Sequence, residues 1–262
     1  MNDVQSAILE MMIDFDAVMR KHGVDYSISD GTALGAVRHK GFIPWDDDAD
    51  LSVLRKDVPK FLEAMEDLES SGKYFLQRPL SIDWPYVFYK VRLNNSTAIE
   101  DKFVNTRMHQ GLFIDIFIAD PYPDSKIRRG VHGMLMFIQH CFQTICDYRM
   151  GKRWFDPILK IVDINVRILN RMMDMVVEKD YRWYCNRNTN YHRVFYREDM
   201  DQTIEIEFEG HSFRMMKGYD RYLKELYGDY MTPPPEDQRY GEHLSFFDKE
   251  MDYKDWLAKN RR

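Results

Sequence analysis

Four aspartates fall within five residues, at Asp46, Asp47, Asp48 and Asp50. Carboxylates packed this closely repel and raise one another's pKa unless a cation compensates them. An acidic run standing alone reads as a solvated turn, so the surroundings of this one decide its meaning. Residues 48–54 read as a strand. Side chains alternate along a strand, which turns Asp48 and Asp50 to one face, with apolar Leu51 and Val53 following them. Two carboxylates on one strand face suit a hard cation such as Mg²⁺.

The residues upstream add to this. Residues 26–28 read as a short strand, Asp30-Gly31 as a turn and residues 32–39 as a short helix. Gly31 lets the backbone approach a ligand closely. The helix from Thr32 offers free N–H groups and a positive dipole end to a phosphate. Arg38-His39-Lys40 places a basic run just before the acidic one. Cations beside a carboxylate-held metal describe a phosphoryl-transfer site. Strand, glycine turn, helix and acidic strand in that order predict an α/β (α+β) fold with a nucleotidyltransferase-type mixed-sheet core.

The rest of the chain fills out this core. Val4, Ile8, Met11, Met12, Phe15, Val18 and Met19 mark an opening amphipathic helix, and residues 58–68 a further one. Strands are predicted at 74–77, 86–93, 97–100 and 112–118, and a hairpin at 203–208 and 213–216. A helix follows at 218–227, then an extended Pro run. Between them, residues 126–184 carry two long helical stripes. The first holds Val131, Met134, Leu135, Ile138, Phe142 and Ile145. The second holds Ile158, Ile161, Val162, Ile168, Leu169, Met172, Met173 and Val176. Both read as core packing, within one domain over 1–262 that has a helical elaboration at 126–184. The flanking Lys126, Arg128, Arg129, Lys152 and Arg153 suit either a solvated face or peripheral contact with an anionic membrane surface.

A net charge of −6 excludes a protein that coats nucleic acid by bulk charge. Three cysteines without CxxC spacing suggest a reducing compartment and no structural zinc. No stretch approaches the roughly 18 apolar residues of a membrane span, and the acidic start does not read as a signal peptide. The expected location is the cytoplasm, in contact at most with the inner face of a membrane.

The stretch from Asp30-Gly31-Thr32 through Arg38-His39-Lys40-Gly41-Phe42-Ile43-Pro44-Trp45 to Asp46-Asp47-Asp48-Ala49-Asp50 resembles the hallmark of the LicD family. That family includes bacterial phosphocholine transferases and is related to the fukutin-type phosphotransferases. Three further segments are similar to its motifs: Phe88-Tyr89-Lys90-Val91-Arg92 with Thr97 and Glu100, Gly111 to Phe117, and Leu226-Tyr227-Gly228-Asp229-Tyr230 with the Pro run. Ala49 stands where the family more often has a branched residue. The resemblance implies a CDP-linked donor such as CDP-choline, a glycan or glycolipid acceptor, and Mg²⁺ or Mn²⁺.

Roles follow from motif and chemistry together. Asp48 and Asp50 are the expected metal ligands. Asp46 either adds a third ligand or orients the others, and Asp47 should face away. Asp115, in an otherwise apolar run, is either half of a buried salt bridge or the third carboxylate of a polymerase β-like triad, serving as ligand or general base. Lys90 and Arg92 share a strand face, either exposed or turned to the donor phosphates. Arg38 and Lys40 are candidates for the same task, and Gly31 and Thr32 for the phosphate cradle. Tyr227 and Tyr230 are expected to pack a helix. A quaternary ammonium calls for an aromatic cage, for which Trp45, Trp84, Tyr86, Phe88 and Tyr89 lie near the motifs. The rival readings are a metal-dependent glycosyltransferase and an inactive relative that binds a nucleotide or glycan.

Overall fold

Residues 1–81, 83–149, 155–188, 193–239 and 243–260 are described by a computed structural model. Its centre is a nine-stranded mixed sheet with eight helices around it, the mixed α/β architecture that the sequence predicts. The strands are β1 (Tyr26–Ile28), β2 (Asp50–Leu54), β3 (Tyr74–Gln77), β4 (Tyr89–Leu93), β6 (Phe113–Tyr122), β7 (Trp183–Asn186), β8 (Val194–Tyr196), β9 (Thr203–Phe208) and β10 (His211–Met216). Their order is β3-β4-β6-β2-β1-β10-β9, and β7 continues from β6 to β8. β5 (Thr97–Ile99) and β11 (Phe246–Asp248) form a separate pair.

Register explains how the sheet divides its two faces. Tyr26 pairs with Val53 and Ile28 with Leu51, while Leu51 and Val53 pair with Ile116 and Ile118. Because side chains alternate, these apolar residues share one face. That face receives α1 (Asp3–Lys21) and α3 (Val58–Ser70), whose Phe15 and Phe61 meet Tyr26 and Tyr89 edge to face. The opposite face carries Asp50 opposite Asp115, and Asp115 opposite Lys90. Three charged residues thus lie in a row across three strands, and a one-residue slip would put them in the apolar core.

Several boundaries differ from the sequence reading: β6 runs four residues past its expected end at 118, α2 (Asp30–His39) starts two residues before its expected start, and β10 starts two residues before its own. β2 starts at Asp50, two residues after the expected start, although Ala49 O still accepts the Asp115 N–H at 2.8 Å. Residues 46–49 are instead a loop held by outside partners: Gln5 of α1 donates Nε2 to Ile43 O and Asp46 O. Residues 86–88, the expected start of the next strand, are also not strand; Tyr86 and Phe88 join Trp84 and Phe103 in an aromatic cluster ahead of β4.

The two long helices, α4 (Lys126–Arg149) and α5 (Asp156–Met175), run between β6 and β7, and β7 takes the end of the segment expected to be helical. The stripes expected to be core split by side. Leu135, Leu169 and Met173 pack together, and Val162 joins Leu159, Val166 and Cys146. Val131, Met134, Ile138 and Ile145 of α4 are exposed, as are Ile158, Ile161, Ile168 and Met172 of α5. Helical spacing specified an apolar band wider than the surface available to cover it. Lys152 and Arg153 lie outside the described residues. Among the described residues no helix is long and apolar enough to cross a membrane.

Candidate active site

α2 (Asp30–His39) delivers its N-terminus directly to the acidic loop. The residue in left-handed conformation is Asp30, with φ of 43°, not Gly31. Gly31 is already in the helix's first turn, and its service is empty space: a Cβ there would lie 3.1 Å from Asp46 Oδ2 and 4.0 Å from Asp50 Oδ2. Thr32 Oγ1 accepts the backbone N–H of Asp50 at 2.8 Å, and the Ser29 N–H donates to Asp50 O at 2.9 Å. The hydroxyl expected to touch phosphate therefore fixes the acidic strand.

Asp46, Asp48 and His243 bring ligand atoms within 4.8 Å of one another. Asp50, on the strand beyond, is half-buried, and its carboxyl is pushed well above the usual range by burial and then by Asp48, Asp30, Asp115 and Asp46. Burial and the neighbouring Asp48 lift Asp46 to about 8. Asp48 and Asp30 are raised mainly by burial, against the pull of His243 on Asp48 and of the Tyr222 hydroxyl on Asp30. Asp30, Asp46, Asp48 and Asp50 crowd one another with too little positive charge nearby, so they hold protons unless a metal replaces them. A hard divalent ion answers this need: the carboxylate oxygens suit Mg²⁺ or Mn²⁺, and His243 joins them only once its ring proton is displaced.

Asp47, expected to face away, turns instead to His243 of this group. It is an anchor: its carboxylate accepts the N–H groups of His243 (2.8 Å) and Leu244 (2.9 Å) and lies 3.0 Å from His243 Nδ1. Burial pushes Asp47 up, but these donors prevail and hold it below its ordinary value. The same hydrogen bond raises His243 to about 9, and its Nδ1 stands 3.6 Å from Asp48 Oδ2.

Asp115 is half of a buried salt bridge, and its place on the sheet also leaves it open to the other reading, ligand or general base. It pairs with Lys90, whose Nζ is 3.1 Å from Oδ1, and it also lies on the face shared with Asp50. Burial, partly offset by Lys90, raises it to about 6. Lys90 reaches Glu100 as well, at 3.6 Å. The exposed-face reading of Lys90 and Arg92 does not hold, since both are buried. Lys90 borders a cavity, whereas Arg92 is walled in, donating to Gln77 Oε1 and Gly111 O over the Phe113 ring. Of the other two basic candidates, Arg38 donates to Tyr230 O, and Lys40 points to Glu207 on β9 from an exposed position. Neither has a contact with the carboxylates among the described residues.

The cavity beside Asp115 measures about 370 Å³ and is lined by Trp84, Tyr86, Phe88 and Phe103 together with Lys90, Glu100, Lys102 and, from α4, His140 and Gln143. Trp45 and Tyr89 are elsewhere: Trp45 packs on His39 and under Arg239, and Tyr89 on Phe61. A larger cavity of about 670 Å³, between β3 and α8 (Tyr253–Asn260), contains none of the site carboxylates.

The sequence model described as LicD/FKTN/FKRP, nucleotidyltransferase domain, matches residues 23–161. This chain belongs to the LicD family. It is 27% identical over 264 residues to the lipopolysaccharide cholinephosphotransferase LicD of Haemophilus influenzae, covering 93% of this chain and 96% of that protein. An uncharacterised protein of Rickettsia prowazekii is 27% identical over 145 residues, covering 55% of this chain and 47% of that one. Another, from Rickettsia typhi, is 35% identical over 133 residues, 47% of this chain and 40% of that one.

Three members of this LicD-family site were not visible as such in the sequence. His243 lies 196 residues from Asp47, and no local pattern links them. Tyr222 of α7 (Tyr219–Tyr227) accepts from the Asp30 N–H at 3.2 Å and donates to its carboxylate at 3.1 Å. Tyr227, expected to pack, is 42% exposed and stands in the field of Asp30, Asp50 and Asp46. The signal for Asp30 was present, as an acidic residue directly before Gly31.

Proposed function

We propose that this protein transfers a phospho-alcohol group, phosphocholine, from a CDP-linked donor to a hydroxyl of a cell-surface glycan or glycolipid, with Mg²⁺ or Mn²⁺ at the carboxylate site. The observation that carries this reading is the row Asp50–Asp115–Lys90 across three strands, next to the Asp46–Asp48–His243 cluster and opening on an aromatic cavity. The transferase class and the lipopolysaccharide acceptor are supported by the name of the full-length Haemophilus relative.

Asp46, Asp48 and His243 would hold the metal, with Asp50 adjoining. When bound, the ion would supply Lewis-acid stabilisation of charge on the leaving phosphate. The chain's own residues do the rest. The N-terminus of α2 past Asp30, at Gly31 and Thr32, receives phosphate oxygens. Lys90 gives a fixed positive charge beside the transferred group, held by Asp115 and Glu100. Asp115, raised to about 6, is basic enough to take the acceptor's hydroxyl proton at neutral pH and then to release it. Positioning and electrostatics carry the rate rather than covalent chemistry.

The cavity supports the choline head group. Four aromatic rings and the Glu100 carboxylate suit a cation that offers methyl groups and no hydrogen-bond donors. A cationic group already stands over two of the rings, since Lys102 Nζ is 5.3 Å from the Tyr86 centroid and 5.1 Å from that of Phe103. Choline's ammonium would take that position while Lys102 turns to solvent.

The test is donor cleavage with CDP-choline, CDP-glycerol and CDP-ribitol, each with Mg²⁺ and with chelator. Metal-dependent release of CMP, fastest from CDP-choline, is expected. Calorimetric binding of CDP-choline without any turnover, acceptor supplied, would make the protein a binding module instead.

A further inference from the structure

We propose that the outer face of the α4–α5 hairpin docks on a lipid bilayer bearing anionic headgroups and so holds the cavity beside Asp115 over a lipid-linked acceptor. Of the sixteen large apolar side chains exposed among the described residues, twelve lie on these two helices. The most open are Ile127 and Met175 at 82%, Phe137 at 67% and Ile161 at 60%. Single exposed apolar residues are ordinary, but a concentration of this size marks an interaction surface.

Helix geometry gathers them on one side. In both helices the exposed stripe lies roughly a quarter-turn or more to the same rotational side of the buried stripe, at about 100° per residue. The helices are antiparallel, with Arg128 near the start of α4 donating to Val176 O just past the end of α5. Their buried stripes face each other through Leu135, Met136, Leu169 and Met173. Antiparallel helices joined in this way present both outer stripes on a common face. Since neither helix is apolar enough to cross a membrane, the pair has the character of an element lying in the interface plane.

Charge selects the occupant. Over residues 126–146 and 156–175 the hairpin has six basic residues against three acidic ones, net +3, on a chain of net −6. The three acids are already paired: Asp156 with Arg107, Asp163 with Arg167 and Asp174 with Arg187. Among the described residues no ion pair engages Lys126, Lys160 or Arg171. Basic side chains bordering an apolar face complement anionic headgroups, each worth a measurable gain in partitioning. A second copy of this chain would present the same excess positive charge.

The hairpin is also a wall of the site, because His140 and Gln143 of α4 line the cavity that holds Lys90 and Asp115. A hairpin seated on lipid therefore sets the distance between cavity and bilayer. The choice of lipid over a protein partner rests on the glycolipid acceptor proposed above; the docking face itself does not.

The experiment is flotation of the whole chain with phosphatidylglycerol–phosphatidylethanolamine vesicles, in chelator and without donor. The wild-type protein should float, less so at high salt. Phe137→Glu with Ile161→Glu should lower partitioning on the order of 100-fold, roughly tenfold for each large apolar side chain kept from the lipid. Hydrolysis of water-soluble CDP-choline should not change. If the glutamates disturb the fold in a thermal melt, Phe137→Ser with Ile161→Ser reads the same loss. Unchanged flotation of a folded variant overturns the proposal, as does wild-type protein that stays with the soluble fraction. In that second case, sedimentation showing a dimer that the double variant splits would assign the face to self-association. The two readings fail separately: a floating protein that cleaves no donor sinks the proposed function, and an active transferase that does not float sinks the docking.

Discussion

Replacing Asp46 by Asn should stabilise the metal-free protein, although it damages the proposed metal site. Burial and Asp48 lift the Asp46 carboxyl from 3.8 to about 8. A carboxyl whose folded pKa exceeds its unfolded one costs nothing while both states are protonated. The cost grows as pH climbs from about 4 towards 8. At pH 7 the gap between pH and the unfolded value amounts to about 4 kcal/mol, at 1.36 kcal/mol for each pH unit. Sharing a proton with Asp48 and partial contact with water reduce this to about 2 kcal/mol. The neutral amide keeps the volume, and the backbone bonds of residue 46 to Ile43 and Gln5 are untouched. In a chain of this size that gain corresponds to a Tm rise of roughly 4–8 °C. Calorimetry or circular dichroism in chelator at pH 5, 7 and 8 reads it. The advantage of Asp46→Asn should widen with pH, and Mg²⁺ should narrow it by stabilising the wild type more. A variant no more stable than wild type at pH 8 in chelator, or a gain that ignores pH, would refute the reasoning. His243 works in the same direction in the wild type. Raised to about 9 by Asp47, it stabilises the fold below its unfolded value of 6.5, and this is lost as pH rises through 9.

Asp48→Asn and Asp50→Asn should each abolish transfer with the fold intact by circular dichroism; near wild-type turnover in Mg²⁺ would remove either from the site. Gly31→Ala places a methyl 3.1 Å from Asp46 Oδ2, so metal affinity by titration calorimetry should drop while helix α2, which favours Ala, does not weaken. Asp115→Asn should cut turnover by roughly 10²–10⁴-fold. Its stability loss should stay below the roughly 3–5 kcal/mol of a stranded buried cation, because Glu100 still faces Lys90 at 3.6 Å; a loss of that full size with turnover kept would make the pair purely structural. Asp47→Ala should cost about 2 kcal/mol through the lost bonds to residues 243 and 244, and the His243 pKa, followed by NMR, should fall towards its ordinary value.

The amino-acid sequence by itself located the acidic cluster and the elements that carry it. Asp46 to Asp50, the preceding Asp30-Gly31-Thr32 and the run around Asp115 all follow local rules of alternation, turn and helix start, and those rules put them where the structure has them, give or take two residues. Charge density could be read the same way, since four carboxylates in five positions cannot be neutral to one another at any fold. Only the tertiary structure decided which groups meet. Strand register set Asp115 between Asp50 and Lys90, and register depends on pairing partners far apart in the chain. A loop nearly two hundred residues away brought His243 to Asp47 and Asp48. Burial separated Lys90, which reaches a cavity, from Arg92, which does not, although the sequence treats them alike. The same limit applies to α4 and α5. Periodicity shows that a helix has an apolar side, but how much of that side is covered depends on the surface available to pack against it, and here half of it was left outside.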